Sequence, residues 1–287
     1  MDVDRRIMDI LAGSPSRRSG DPKYALTFRL TSMIATEHFL PPDREIATLA
    51  LDLADGTHID THRHTHGQLL YTTQGTLVVN TNQGCWVVPC NHGLWIPAEI
   101  AHWTRTLGAT RIRTLYFKPQ RTPGMPGECT VYRISNLVRE LIIEASTIEV
   151  EIAQGSRNAR LIELLLEELA GAGTSAIYLP RPKGQRLQAL CRDLVQNRTL
   201  DWGLAECAEA LGVTIKTVQR WFHEDVGMSF GTWRKQARLL IALDRLAQGH
   251  NILEVSLDAG YSTPSAFTAM FKREFGLPPR TFQQPRR

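Results

Sequence analysis

Three histidines stand two residues apart in Asp60-Thr-His62-Arg-His64-Thr-His66-Gly-Gln68. Alternate side chains of an extended strand share a face, so His62 and His64, and His66 if the strand runs that far, would project together. Imidazoles converging on one point suit a divalent ion such as zinc, nickel or iron. They suit equally well a metal-free pocket whose rings hydrogen-bond a small molecule or one another. His58 and His92 read as loop histidines.

A second chemistry is written far downstream. Residues 204–211, the turn Gly212-Val-Thr214 and a helix over 214–225 predict a helix-turn-helix, in which Thr214 caps the second helix. Within that helix Val218 and Phe222 fall four apart and face inward, leaving Lys216, Thr217, Gln219, Arg220 and His223 outside. In the major groove Arg pairs with guanine and Gln with adenine, so this face could read base edges. The pattern then returns: residues 252–259, the turn Gly260-Tyr-Ser-Thr263 and a helix over 263–275 with Phe267, Phe271 and Phe275 inward. Ser265, Thr268, Lys272 and Arg273 point out. A helix over 229–248 joins the two copies; at ~1.5 Å per residue it spans roughly 30 Å, near the ~34 Å between successive major-groove faces.

These residues need elements to hold them. At 287 residues the chain is long enough for two domains. Its hydrophobic share of 43% and charged share of 22% are those of an ordinary water-soluble protein rather than a disordered one. Residues 1–45 mix charge, Gly and Pro without periodicity and read as a poorly ordered extension. From 46 to 126 short β-rich runs (46–53, 68–72, 76–80, 85–88, 93–96 and 111–117) are separated by Gly, Pro and Asn, which implies an all-β barrel or sandwich. Helical periodicity begins after Pro126. Residues 134–145 carry one apolar stripe; residues 156–170 carry Leu161, Ile162, Leu164, Leu165, Leu166 and Leu169, a surplus that either covers the barrel or makes a subunit contact. On this reading 127–173 is a helical dimerisation and coupling segment, 174–184 a Gly/Pro-rich linker, and 185–287 an all-helical domain.

Charge follows the same division. Residues 1–180 carry 17 Lys and Arg against 19 Asp and Glu, whereas residues 181–287 carry 16 against 10, so the C-terminal part favours an anionic partner. Five cysteines without a CxxC pair suggest neither a disulfide framework nor a zinc ribbon. The start, Met1-Asp-Val-Asp-Arg-Arg6, lacks a signal-peptide layout and no run of about 20 apolar residues is present, so a cytoplasmic location is expected.

The run 204–282 resembles the DNA-binding domain of the AraC/XylS family of transcription regulators. The resemblance rests on Gly227-Met-Ser-Phe-Gly-Thr-Trp-Arg234, Gly260-Tyr-Ser-Thr-Pro-Ser-Ala-Phe267 and Phe271-Lys-Arg-Glu-Phe-Gly-Leu-Pro-Pro279. It implies that 214–225 and 263–275 are the two recognition helices, with base contacts from Lys216, Gln219 and Arg220 in the first. In the second, Ser265, Thr268 and Ala269 occupy the corresponding face, and Ala269 brings no hydrogen-bonding group. The histidine segment resembles the first cupin motif: Gly56, His62, His64, then Gln68 where that family has Glu, and Gly75. Part of a second motif follows in Pro97-Ala-Glu-Ile-Ala-His102, where Glu99 replaces the usual Gly and Thr106 the usual Asn. By this resemblance a metal would be held by His62, His64, Gln68 and His102. A neutral amide at 68 keeps an oxygen ligand but removes a charge, which lowers metal affinity.

The expected architecture is therefore an all-β cupin-like barrel followed by an all-α domain with two helix-turn-helix motifs. The expected function is a sequence-specific, DNA-binding activator or repressor, not an enzyme, governed by an unknown small-molecule effector or a metal in the cupin-like domain. DNA binding itself requires no cofactor. Double-stranded DNA, a second copy in a homodimer and, for an activator, RNA polymerase are the expected partners. The competing reading is a metal-dependent cupin enzyme with an auxiliary helical domain; a nonspecific nucleic-acid binder is a third, distinguished by its specificity ratio.

Overall fold

The computed structural model describes residues 45–148, 152–174, 178–196, 201–275 and 277–282. The N-terminal extension up to residue 44 lies outside these. The described chain divides into two compact units: 45–79 with 86–174, and 178–282 with the turn 80–85.

The first unit is a β-barrel with two covering helices. Its strands are β1 (Ile46–Leu53), β2 (His58–His62), β3 (Gly67–Thr81), β4 (Gly84–Pro89), β5 (His92–Ile96), β6 (His102–Phe117) and β7 (Thr130–Arg133). β1 and β2 both pair with β6, β6 with β3, and β5 with β3 and β7. β1 reaches from its expected start to its expected end. The two expected runs 68–72 and 76–80 are instead one strand, β3. Gly75 carries it through: its φ is +76°, and a Cβ there would stand 2.5 Å from the carbonyl oxygen of Ala109, so the glycine marks a bend inside the strand rather than its end. β6 likewise begins nine residues before the expected 111, because its Thr-rich first half is buried and paired. His58 and His92 lie on β2 and β5, not in loops, and His92 is buried.

Register separates two faces. Leu49 opposite Thr114, Ala47 opposite Tyr116 and His62 opposite His102 put the even-numbered residues of β6 on the inward face. The other face, with Leu69, Tyr71, Trp95, Leu115 and Phe117, is roofed by α1 (Asn136–Ala145) and α2 (Arg157–Ala170). Ser135 and Ser156 cap these helices by accepting from the backbone N–H of Val138 and Ala159. The roof consumes most of the leucine surplus: Leu161, Ile162, Leu165 and Leu169 pack into this core with Val138 and Ile142. Leu137 and Leu164 stay outside, 49% and 40% exposed.

Among the described residues, the second unit contains β8 (Tyr178–Pro180), which falls inside the expected linker, and six α-helices: α3 (Gln185–Gln196), α4 (Leu204–Leu211), α5 (Ile215–Trp221), α6 (Phe230–Ala247), α7 (Ile252–Asp258) and α8 (Pro264–Phe275). α5 continues at Phe222–Val226 as a wider π-type turn that ends at Gly227, so the helix expected over 214–225 is present and changes pitch in its last turn. Thr214, Ser229 and Asn251 cap α5, α6 and α7 by accepting from the backbone N–H of Thr217, Thr232 and Leu253. Phe222 packs against Phe230 and Trp233 at ring distances of 5.2 and 5.8 Å, tying the first helix pair to α6. Phe267, Phe271, Phe275 and Phe282 stack in turn behind the second. Arg245 of α6 bridges to Glu254 and Asp258 of α7.

Candidate effector pocket and nucleic-acid interface

His62, His64 and His102 come together: their ring centroids are 4.4, 5.2 and 6.1 Å apart in pairs, and one nitrogen from each ring lies within 4.8 Å of the other two. Strand periodicity explains only part of this. His62 ends β2 opposite His102, whereas His64 lies in the loop before β3. That loop is held by Glu99, whose backbone N–H donates to the His64 carbonyl over 2.9 Å. Glu99 has φ +65°, so the position where a cupin carries glycine keeps the glycine backbone conformation. Thr106, in the usual Asn position, donates to the Ala54 carbonyl and accepts from the Thr57 N–H, stapling β6 to the turn before β2. His66 is buried but does not join the cluster.

Backbone carbonyls set the tautomers. Nδ1 of His62, His64 and His102 faces the carbonyl of Asp60, His66 and Ile100 at 2.8, 2.6 and 2.8 Å. An N–H must stand on each Nδ1, which leaves Nε2 as the lone pair of every ring. Burial disfavours the imidazolium, pushing His64 down to about 4, His62 below its ordinary value and His102 well below it. The Nε2 of His102 is buried without a hydrogen bond. Gln68 completes the pocket: its Oε1 lies 3.1 Å from His64 Nε2, and its Nε2 donates to Thr114 Oγ1 and the Tyr116 hydroxyl over 3.0 Å each. Two acceptors cannot face each other without a cation between them. The opposite amide orientation, with its NH₂ donating to His64 Nε2 and its oxygen accepting from both hydroxyls, would use the same three contacts. Thr114 and Tyr116, even-numbered on the inward face of β6, are the pocket residues that the motif spacing missed; their alternation with His102 was the available signal.

On α5, Lys216, Gln219 and Arg220 are exposed, Thr217 is half-buried and Val218 is buried, as the spacing requires. Arg220 lies 3.8 Å from Glu224. On α8, Ser265, Ala269, Lys272 and Arg273 are exposed and Thr268 is half-buried. Sequence reasoning passed over Ile215, a 45%-exposed apolar side chain at the first turn of α5. An aliphatic group at that place suits a thymine methyl.

An AraC-like ligand binding domain matches residues 48–176, and a helix-turn-helix domain matches residues 207–285. A ligand-binding cupin-like barrel joined to a double helix-turn-helix defines a DNA-binding transcription regulator. More narrowly, both parts of the chain are similar to regulators of the AraC/XylS family. The HTH-type transcriptional regulator NimR of Escherichia coli (strain K12) is 28% identical over 219 residues, covering 76% of this chain and 80% of NimR. RipA of Corynebacterium glutamicum is 35% identical over 103 residues, 36% of this chain and 31% of its own length. Among solved structures, ToxT from Vibrio cholerae aligns over 83% of this chain and 98% of its own, with 9% identity and a TM-score of 0.34. No helix of the described residues is long and apolar enough to cross a membrane.

Proposed function

We propose that this regulator takes its signal at His62, His64, Gln68 and His102 and reads its operator with α5 and α8. The observation that carries the first half is the set of three imidazoles whose Nδ1 atoms are engaged by backbone carbonyls and whose remaining nitrogens converge in a buried pocket. Such a donor set fits a divalent ion, zinc, nickel or iron, held by the three imidazoles with Gln68 as a weak fourth ligand. When bound, the ion would supply open coordination positions to an oxygen- or nitrogen-bearing effector. An effector could also occupy the same lone pairs directly. NimR, which shares this domain arrangement, is a transcriptional regulator, and on that ground we read the pocket as a sensor rather than an active site.

Lys216, Gln219 and Arg220 on α5, and Ser265, Thr268 and Ala269 on α8, are assigned to the bases, with Thr217 on the same DNA-facing side of α5 and Lys272 and Arg273 on phosphates. A homodimer through α1 and α2, a cytoplasmic location, and contact with RNA polymerase if the protein activates complete the reading. Pocket and DNA face are distinct sites, coupled by differential binding to two states through the intervening segment 127–184.

Selection of bound duplexes from a random pool by full-length protein, with and without added metal, tests both halves. Enrichment of one sequence, with a yield that changes on adding metal or effector, is the expected result. His62→Ala with His64→Ala should keep a cooperative melt and lose the response. A folded double variant with a normal response and unchanged metal content would place the signal elsewhere, and an unenriched pool would reject operator reading.

A further inference from the structure

Positions 231, 234, 235 and 238 of α6 are three and four apart, so a single stripe carries Gly, Arg, Lys and Arg. This stripe, with Gly260 and Tyr261 of the turn between α7 and α8, lines an open cavity of about 280 Å³ that has no acidic residue among its lining residues. Each cation is held differently. The Arg234 guanidinium lies 5.3 Å over the Phe230 ring and donates to the Trp202 carbonyl. Lys235 Nζ donates to Glu274 over 3.0 Å. Arg238 crosses Gly260, where a Cβ would stand 2.6 Å from Nη1 and where φ is +84°, so a side chain at 260 would push the guanidinium aside and strain the turn.

The charges do not suit one another. Burial and then the neighbouring Arg234 hold Arg238 below its ordinary pKa, with Asp201 and Tyr261 acting in the opposite sense. Glu274 answers Lys235 but is shared with Arg273. An anion with several oxygens relieves this: guanidinium forks and an ammonium together match phosphate geometry, and phosphate contacts position a protein without reading sequence. None of these residues belongs to the recognition helices' outward faces. We propose that the cavity formed by Arg234, Lys235 and Arg238 against Gly260 binds a phosphate group. The source is either the DNA backbone, which rests on the operator reading proposed above, or a free phosphate.

Full-length Lys235→Gln and Arg238→Gln proteins distinguish the sources. Affinity for the selected operator and for a scrambled duplex would be measured across a salt series, and thermal melts run in inorganic phosphate and in chloride at equal ionic strength. For a DNA phosphate, each variant weakens both duplexes alike, and the slope of log affinity against log salt falls by about one per lost contact. For a free phosphate, the slopes stay equal while phosphate raises the wild-type melting temperature and not that of the variants. Unchanged slopes together with no phosphate-specific stabilisation overturn the proposal. Lys235 is about half-exposed, so its variant remains informative if Arg238→Gln fails to fold. Wild-type protein that does not distinguish operator from scrambled duplex defeats the operator reading instead, and leaves the phosphate site to be judged by slopes and melts.

Discussion

An amide at position 68 leaves the histidine pocket one negative charge short of a three-histidine, one-carboxylate ligand set. Gln68→Glu should therefore tighten divalent ion binding by roughly tenfold or more, about 1.4 kcal/mol. Without the ion the same change should lower the melting temperature, because it buries a carboxylate between Thr114 and Tyr116. Titration calorimetry and paired melts check both signs, and a variant equal to wild type in each would remove position 68 from the pocket's chemistry. On the DNA face the single residues have separate tasks. Gln219→Ala or Arg220→Ala should cost about 1 to 3 kcal/mol and relax preference at one base position. Arg220 must exchange its contact with Glu224 for that base, which places its effect toward the lower end. Operator affinities for duplexes changed one base pair at a time measure this, and unaltered affinity in both variants would take α5 out of base reading.

At the scale of elements, α2 shows how one helix face divides between core and surface. Leu165, fully buried against the barrel, is unsuitable as a probe of association: Leu165→Asp should lose several kcal/mol and a cooperative melt. Leu137 on α1 and Leu164 on α2 remain exposed, and these are the side chains a second subunit would cover. The double change Leu137→Asp and Leu164→Asp should leave the melt within a few degrees of wild type and shift sedimentation toward monomer. Wild-type protein that sediments as a monomer at micromolar concentration would discard the dimer.

For the whole molecule, buried neutral histidines determine how stability depends on pH. Burial lowers His92 as well as the three pocket imidazoles, His64 to about 4. Between the unfolded value near 6.5 and these lowered values the unfolded chain binds more protons than the folded one, so stability is complete above about pH 6.5 and is lost as pH falls. Each group contributes roughly 1.4 kcal/mol per pH unit within its own window. Chelator-treated protein should melt progressively lower from pH 6.5 to 4.5, and His92→Leu should reduce the slope. A melting temperature that stays level across that range would mean that these rings are already charged in the folded state.

Local patterning carried the elements and their classes. The inward spacing of Val218 with Phe222, and of Phe267, Phe271 and Phe275, sufficed to place the exposed faces of α5 and α8, because side chains three and four apart share one side of a helix. β1 was legible because its β-rich run 46–53 is local and bounded by the Gly56 turn. Long-range pairing decided the rest. Gly75 reads as a break but lies inside β3, since only the approach of Ala109 makes a glycine bend necessary. His58 and His92 read as loop residues because nothing local records their pairing with β6 and β7. The alternation of His62, His64 and His66 left His66 open, while the cupin-like spacing already named His62, His64, Gln68 and His102; the structure brings the three imidazoles of that set together through a loop hydrogen bond from Glu99 and the pairing of His62 with His102 across the sheet. Which leucines of α2 were core and which were surface depended on the barrel face they met, since amphipathic periodicity fixes a direction and only packing determines how wide a face is buried.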